Sequence, residues 1–228
     1  MTKSSVSTLE RIDALIAESA AGSEPLLIAL TNGKLSRDEL RVFAGQYFHL
    51  IDSLPRFVST VHSVTADPNW RRTLLNVLVP LELNPPSAAD LWLQTCAALG
   101  LFSDTVRSSD PTTPTAACLG DFEYLCQSGS AQGFAALYSW MTRLPNVCRT
   151  AQSALAEHYE LASGPGTQFF DDMAFQSQSH ARALRAGLEQ ILTQYPEASE
   201  VAVHSAEAAI IAVKGMYHGA LRGTHTGR

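Results

Sequence analysis

The stretch TQFFDDMAFQSQSHARALRAGL, from Thr167 to Leu188, is the most informative part of this chain for its fold. Its apolar residues recur with the period of an amphipathic α-helix, and residues three, four and seven apart on a helix share one face. That spacing predicts that Met173, Ser177 and His180 form a single row that looks into the protein. The row is a candidate site because it brings a thioether, a hydroxyl and an imidazole to one helix face.

The same helical period runs through the other long segments, and no alternating strand pattern stands out. Ser36 and Glu39 have the spacing of a capping box and predict the start of a helix. Pro55 and Pro145 predict a kink or a break in two long helices, because proline lacks a backbone donor. The polar segment 103–115 predicts a surface loop. We therefore predict an all-α fold, a single domain over residues 1–228 built as a bundle of about seven to eight helices.

Composition is consistent with one large core. The chain has 228 residues, of which 46% are hydrophobic and only 17% are charged. A low share of charged residues favours helices packed on one another or an oligomer. We predict a homodimer, which would use the broad apolar face of the last helix. That face carries Val201, Ala209, Ile210, Val213 and Met216.

Charge and segment length exclude several partners. The net charge of −6 argues against nucleic acid, whose phosphates require a basic surface. No apolar run reaches the ~18–20 residues that a membrane helix needs, so we predict no membrane partner. The N-terminal segment has no apolar signal core. The four cysteines lack metal-ligand spacing and disulfide density, which predicts a reduced, cytoplasmic protein. They are Cys96, Cys118, Cys126 and Cys148.

Three further stretches carry a family resemblance. They are LSRDELRVFAGQYFHLIDSLPRFVS (35–59), LLNVLVPLELNPPSAADLWLQTCAALGL (74–101) and AALYSWMTRLPNV (135–147). In this order, and followed by the late helix, they resemble the heme-oxygenase-like superfamily. That superfamily includes the TenA proteins, pyrroloquinoline quinone synthase and a group of diiron oxidases. The resemblance covers about residues 35–188 and implies a helical bundle with a central site.

In the diiron members, a late helix carries metal ligands in the pattern H-x3-D-x2-H. The resemblance places the six ligand positions of those members on Glu82, Asp90, Met141, Met173, Ser177 and His180. Diiron centres are held by oxygen and imidazole donors, whereas a thioether is soft and favours copper(I) or simple packing. The resemblance therefore implies that a diiron cluster is lost. Two possibilities remain. Either one iron or manganese ion binds to Glu82, Asp90 and His180, or no metal binds.

The same positions allow a substrate pocket. Bundle cores often hold small ligands between apolar side chains with a few polar groups. We predict that a small-molecule substrate binds in a pocket lined by Trp140, Met141, Met173 and Ser177. Each metal candidate also has a structural alternative. Glu82 and Asp90 would flank or cap helix ends, and His180 would be a hydrogen-bonded core histidine.

Tyr47 and His180 are the candidates for proton transfer. The alternative for Tyr47 is a core aromatic residue, and the early helix that carries it also contains His49, for which a solvent-facing position is favoured. Lys214, in an apolar stretch, would be either desolvated and activated or extended to the surface. Cys148 does not match the nucleophilic cysteine of the TenA thiaminases, which disfavours thiamine hydrolysis.

Two functions remain open. The first is an oxidative enzyme that acts on a small organic substrate in a biosynthetic pathway, with one metal or none. The second is a binding or accessory protein that keeps the scaffold and has lost the chemistry. Replacement of three ligand positions by Met141, Met173 and Ser177 favours the second function directly.

Overall fold

The computed structural model of the protein describes residues 7–19 and 24–222, apart from the side chains of 221 and 222. These residues form ten α-helices and two single 3₁₀ turns, without a strand. The helices are α1 (Thr8–Glu18), α2 (Pro25–Thr31), α3 (Arg37–Val64), α4 (Pro68–Leu83), α5 (Ala88–Ala98), α6 (Ser103–Ser108), α7 (Thr113–Gln127), α8 (Ser130–His158), α9 (Gln168–Gln194) and α10 (Ser199–Arg222). The prediction of an all-α fold is confirmed. The single domain stays a prediction.

The number of helices in this part of the chain is higher than the seven to eight predicted. The difference arises partly in segment 103–115, where the loop prediction is wrong. Val106 is only 3% exposed and fixes α6 to the core, so one apolar residue orders an otherwise polar segment. The first turn of α7 also falls within 103–115, because Thr112 and Pro114 provide a helix start.

Local signals fix the ends of the long helices. Ser36 accepts a hydrogen bond from the backbone N–H of Glu39, and the Glu39 carboxylate accepts one from the backbone N–H of Ser36. This is the predicted capping box. Pro55 and Pro145 lie inside α3 and α8, and neither helix breaks there. We infer that the packing of each helix on its neighbours outweighs the backbone hydrogen-bond donor that its proline lacks.

The long helix α8 is the centre of the bundle and packs against α2, α7, α9 and α10. Its most extensive partner is α9. Glycines permit the close approach of α8 to both α3 and α9. A side chain on Gly133 of α8 would overlap Val61 of α3, and one on Gly187 of α9 would overlap Phe134 of α8. Every residue of α8 from Phe134 to Met141 is buried.

The apolar face of α10 is largely used within the chain. Ala209, Ile210, Val213 and Met216 are each at most 6% exposed, because α10 packs on α7, α8 and α1. Only Val201 of the five predicted interface residues is substantially exposed, at 38%. The stated basis for the homodimer is therefore wrong for four of the five residues. The homodimer itself stays a prediction. No helix among the described residues is long and apolar enough to cross a membrane.

Candidate functional site

The row on α9 faces the interior. Met173, Ser177 and His180 are 1%, 0% and 5% exposed. The Ser177 hydroxyl donates a hydrogen bond to the carbonyl of Met173 one turn earlier. The serine is therefore satisfied within its own helix, as is common for a buried hydroxyl on a helix. Of the three side chains in this row, the imidazole of His180 is therefore the one available for acid–base chemistry or ligand binding.

The imidazole of His180 is buried without a hydrogen-bond partner for Nδ1 among the described residues. Removal from water lowers the pKa of His180, and the opposing charge of Asp172 does not compensate. The ring is therefore neutral at neutral pH. A neutral imidazole with an unpartnered nitrogen can accept or donate a proton, or bind a ligand. The structure does not support the alternative of a fully hydrogen-bonded core histidine.

Trp140 and Met141 occupy the adjoining helix α8 and are 3% and 0% exposed. The Trp140 ring packs edge-on against Phe122, with centroids 5.2 Å apart. Its Nε1–H has no acceptor within the described part of the chain. A buried donor without a partner costs about 1–3 kcal/mol, so such groups call for an explanation such as a ligand or water. The predicted pocket residue Trp140 on α8 and the predicted catalytic residue His180 on α9 thus each carry an unpartnered ring nitrogen among the described residues.

The two carboxylates of the predicted metal set lie at the surface. On α4 the inward position is occupied by Leu81, which is 3% exposed, whereas Glu82 points outward. Asp90 forms a capping box with Ser87, whose hydroxyl accepts from the Asp90 N–H at 3.1 Å. The Arg107 guanidinium lies 2.9 Å from the Asp90 carboxylate. The Ser87 hydroxyl and, to a smaller extent, Arg107 lower the pKa of Asp90, so the helix-cap alternative describes its contacts.

These positions determine how well a metal fits. Residues 7–19 and 24–222 contain no group of three or more histidine, cysteine, aspartate or glutamate side chains that could hold a metal ion. Glu82, Asp90 and His180 therefore do not form such a group. A diiron cluster does not fit the inward-facing donors, which are two thioethers, a satisfied hydroxyl and one imidazole. One iron or manganese ion on the predicted triad stays a prediction that would require the two carboxylates to move.

Tyr47 lies in an aromatic cluster. Its ring centroid is 4.8 Å from that of Trp92 and 6.3 Å from that of Tyr217, and the two phenol groups interact. Burial first, and then the neighbouring Tyr217, raises the pKa of Tyr47 well above its ordinary value. Tyr47 is thus a core aromatic residue whose hydroxyl stays protonated. Tyr217 was not predicted, because nothing in the sequence pairs residue 47 with residue 217.

A buried ion cluster joins residues that are far apart in the sequence. Glu24 is 1% exposed, and its Oε1 accepts a hydrogen bond from the Arg143 guanidinium at 2.9 Å. The same guanidinium donates to the carbonyl of Ser19 at 2.9 Å. Lys214 places its Nζ 3.7 Å from Glu24 and is 31% exposed, so it is neither fully buried nor free in solvent. The available signals were an arginine among apolar residues in 135–147 and Lys214 in its apolar stretch.

The remaining candidates have structural partners or lie at the surface. His49 is half-buried, with Nε2 3.2 Å from the Ser109 hydroxyl, so the favoured solvent-facing position is wrong. Burial raises the pKa of Cys148 to about 12, which keeps its thiol protonated. A surface cavity of about 480 Å³ lies between the Pro85–Pro86 segment and α9. The lining of this cavity includes Phe175 but no predicted pocket residue.

Comparison with proteins of known name gives relatives of similar length. A "4-aminobenzoate synthase" of Chlamydia muridarum is 28% identical over 188 residues, which cover 82% of this chain and 80% of that protein. The protein of the same name from Chlamydia trachomatis is 27% identical over 81% of this chain and 80% of its own. A third protein of this name, from Nitrosomonas europaea, is 25% identical over 84% of this chain and 82% of its own.

Solved structures agree on the fold. A TenA homolog from Pseudomonas syringae superposes with a TM-score of 0.75 at 14% identity, over 94% of this chain and 91% of that chain. A domain with a heme oxygenase-like fold from Shewanella denitrificans gives 0.74 at 13% identity, over 96% and 90%. The model of the TENA/THI-4/PQQC family matches residues 12–212. The chain therefore belongs to the TENA/THI-4/PQQC family and has the heme oxygenase-like fold that the order of its four sequence motifs predicted.

Proposed function

We propose that this protein is an oxidative biosynthetic enzyme that forms 4-aminobenzoate. One observation carries the proposal: three relatives share that name, and the similarity spans at least 80% of both chains in each case. Similarity of this extent includes the central helices α3, α8 and α9. The buried side chains between those helices are suited to chemistry on a small ring compound.

Three properties of that interior are relevant. His180 presents a neutral imidazole that can take a proton from the substrate and return it. Trp140 offers an N–H donor to an acceptor atom of the ligand. Met141 on α8 and Met173 on α9 are buried and add adaptable apolar side chains. Exclusion of water strengthens each polar contact inside the site.

The protonated phenol of Tyr47 is the second polar group of the proposal. Tyr47 is 4% exposed and its phenol stays protonated beside the phenol of Tyr217, so it serves the proposal as a hydrogen-bond donor to the substrate. A family metal would supply oxygen activation, but the inward donors do not fit a diiron cluster. We therefore assign only binding and proton transfer to these residues.

Growth of a bacterial strain that cannot make 4-aminobenzoate tests the proposal. We expect the protein to restore aerobic growth without added 4-aminobenzoate, and the compound to be detected by mass spectrometry. His180→Ala should reduce growth, whereas His204→Ala, at an exposed position of α10, should not. Expressed, folded protein that yields neither growth nor 4-aminobenzoate would overturn the proposal.

Elemental analysis tests the one-metal alternative. The protein is purified from cells supplied with iron and manganese and is compared with a Glu82→Ala, His180→Ala double variant. Stoichiometric metal that is lost in the variant would establish the one-metal site. Metal that is retained by the variant would exclude these two residues as ligands.

A non-catalytic binding or accessory protein is the second candidate. The replacement of ligand positions by Met141, Met173 and Ser177 favours it, since thioethers are soft donors and a serine hydroxyl does not replace the charge of a carboxylate. Under this alternative the protein supports growth only together with an active relative, such as the Chlamydia muridarum protein. Growth with this protein alone would exclude the accessory role.

A further inference from the structure

We propose that Arg143 and Lys214, positioned by Glu24, form a binding site for the carboxylate of an aromatic substrate or product. The inference deepens the proposed function and rests on it for the identity of the natural ligand. The site itself lies at the ion cluster between α2, α8 and α10.

The cluster is built around one carboxylate. Glu24 precedes α2 and is 1% exposed, yet it receives both the Arg143 guanidinium at 2.9 Å and the Lys214 ammonium at 3.7 Å. A carboxylate so deeply buried is stable only with such partners. Glu24 thereby holds the two cations next to each other.

The charges of the cluster do not balance. Within the described residues two cations share a single carboxylate, which leaves one formal positive charge in a largely buried region. Arg143 is 7% exposed, and its Nε–H has no acceptor among the described residues. A buried guanidinium N–H without a partner is costly, and a carboxylate oxygen is its best acceptor. A ligand carboxylate would supply the missing charge and the missing acceptor together.

Aromatic rings lie next to this charge. Tyr217 follows Lys214 by three residues on α10 and is close enough to Arg143 and Glu24 to interact electrostatically with both. The Tyr217 ring lies edge-on to Phe43 at 5.6 Å, and Phe43 stacks on Tyr47 at 5.4 Å. Planar rings of this kind pack against a planar ligand. The neighbourhood therefore suits a carboxylate on an aromatic ring.

The net charge also selects the class of anion. One surplus positive charge matches a monoanionic carboxylate better than a phosphate ester, which carries close to two negative charges at neutral pH. Because Lys214 is 31% exposed, it gives the cluster a solvent-facing side from which an anion can approach.

Calorimetry with benzoate and its neutral isostere benzamide tests the site. We expect the wild-type protein to bind benzoate, and Lys214→Met to weaken that binding about 10- to 100-fold, as expected for loss of a charged hydrogen-bond partner. Benzamide binding should be weaker and unaffected by Lys214→Met. Lys34→Met, an exposed lysine, is the matched control and should bind benzoate normally.

The single variant Arg143→Met leaves the buried Glu24 carboxylate with Lys214 as its one remaining cation among the described residues. We therefore expect this variant to fold poorly. The double variant Glu24→Gln, Arg143→Met removes one charge of each sign and keeps the side-chain volumes similar. We expect it to fold, by circular dichroism, and to bind benzoate about 10-fold or more weakly.

Three results would overturn the inference: no benzoate binding by the wild-type protein, equal binding of benzoate and benzamide, or inorganic phosphate that displaces benzoate at lower concentration than benzoate itself binds. Because binding is measured without turnover, a failure of growth complementation leaves this test intact. Loss of benzoate binding in the variants supports the site even then.

Discussion

Gly187 on α9 lies directly against the ring of Phe134 on α8. A Cβ atom built on Gly187 would overlap the Cε1 atom of that ring. Phe134 is fully buried, so other side chains surround the ring and a shift of the ring would disturb their packing. This contact sets the distance between the two helices that carry the candidate pocket.

Gly187→Ala should therefore destabilise the protein by about 1–3 kcal/mol, the usual cost of added volume in a packed core. Gly215→Ala is the matched control, because Gly215 is exposed inside α10 and a Cβ there would meet nothing within 4 Å. The control should raise stability by about 0.5–1 kcal/mol, through helix propensity. Urea unfolding measures both changes. Equal stability of the wild type and Gly187→Ala would contradict the packing described.

The stability of the protein should fall with acid because of His180. Burial lowers the folded-state pKa of His180 below its ordinary value of 6.5, so the unfolded chain binds the proton more tightly. The contribution is fully present above pH 6.5 and is lost as the pH falls through the lowered folded-state value. Urea unfolding between pH 8 and 5 should therefore show a steeper loss for the wild type than for His180→Gln. The exposed control His204→Gln should keep the wild-type slope, and parallel slopes for all three proteins would refute the prediction.

Asp90 should behave as a helix cap. Asp90→Ala and Ser87→Ala should each cost about 0.5–2 kcal/mol, because each removes half of the capping box at the start of α5. Asp121→Ala, at an exposed position within α7, should change stability by less than about 0.5 kcal/mol. If Asp90 is only a cap, elemental analysis finds the same metal content in Asp90→Ala as in the wild type. A variant that loses metal but keeps its stability would instead indicate a ligand.

The four cysteine thiols should be unreactive in the folded protein. All are buried, and burial raises the pKa of each thiol to about 12. Thiolate is the reactive form, so a thiol-specific chromogenic reagent at pH 8 should react slowly with the native protein and with all four cysteines in denaturant. Rapid reaction of Cys148 in the folded protein would revive it as a nucleophile and contradict its inert environment.

Some features followed from the sequence alone, because they depend on residues close together in the chain. The capping box of Ser36 and Glu39 and the inward row of Met173, Ser177 and His180 both involve spacings of three to seven residues. Backbone geometry fixes these relations whatever the helix packs against. The fold class followed for the same reason, since helical periodicity recurs through the chain and the order of four motifs resembled one superfamily.

Other features depended on tertiary structure. Leu81 and Glu82 differ by one step of about 100° around α4, and only the packing of α4 on its neighbours determined that the leucine points inward. The ion cluster joins Glu24, Arg143 and Lys214 across more than 100 residues of sequence, and no local pattern encodes that meeting. Long-range contacts arise when separate helix faces are buried together. The sequence therefore determined which residues share a face, and the packing of the helices determined which faces meet.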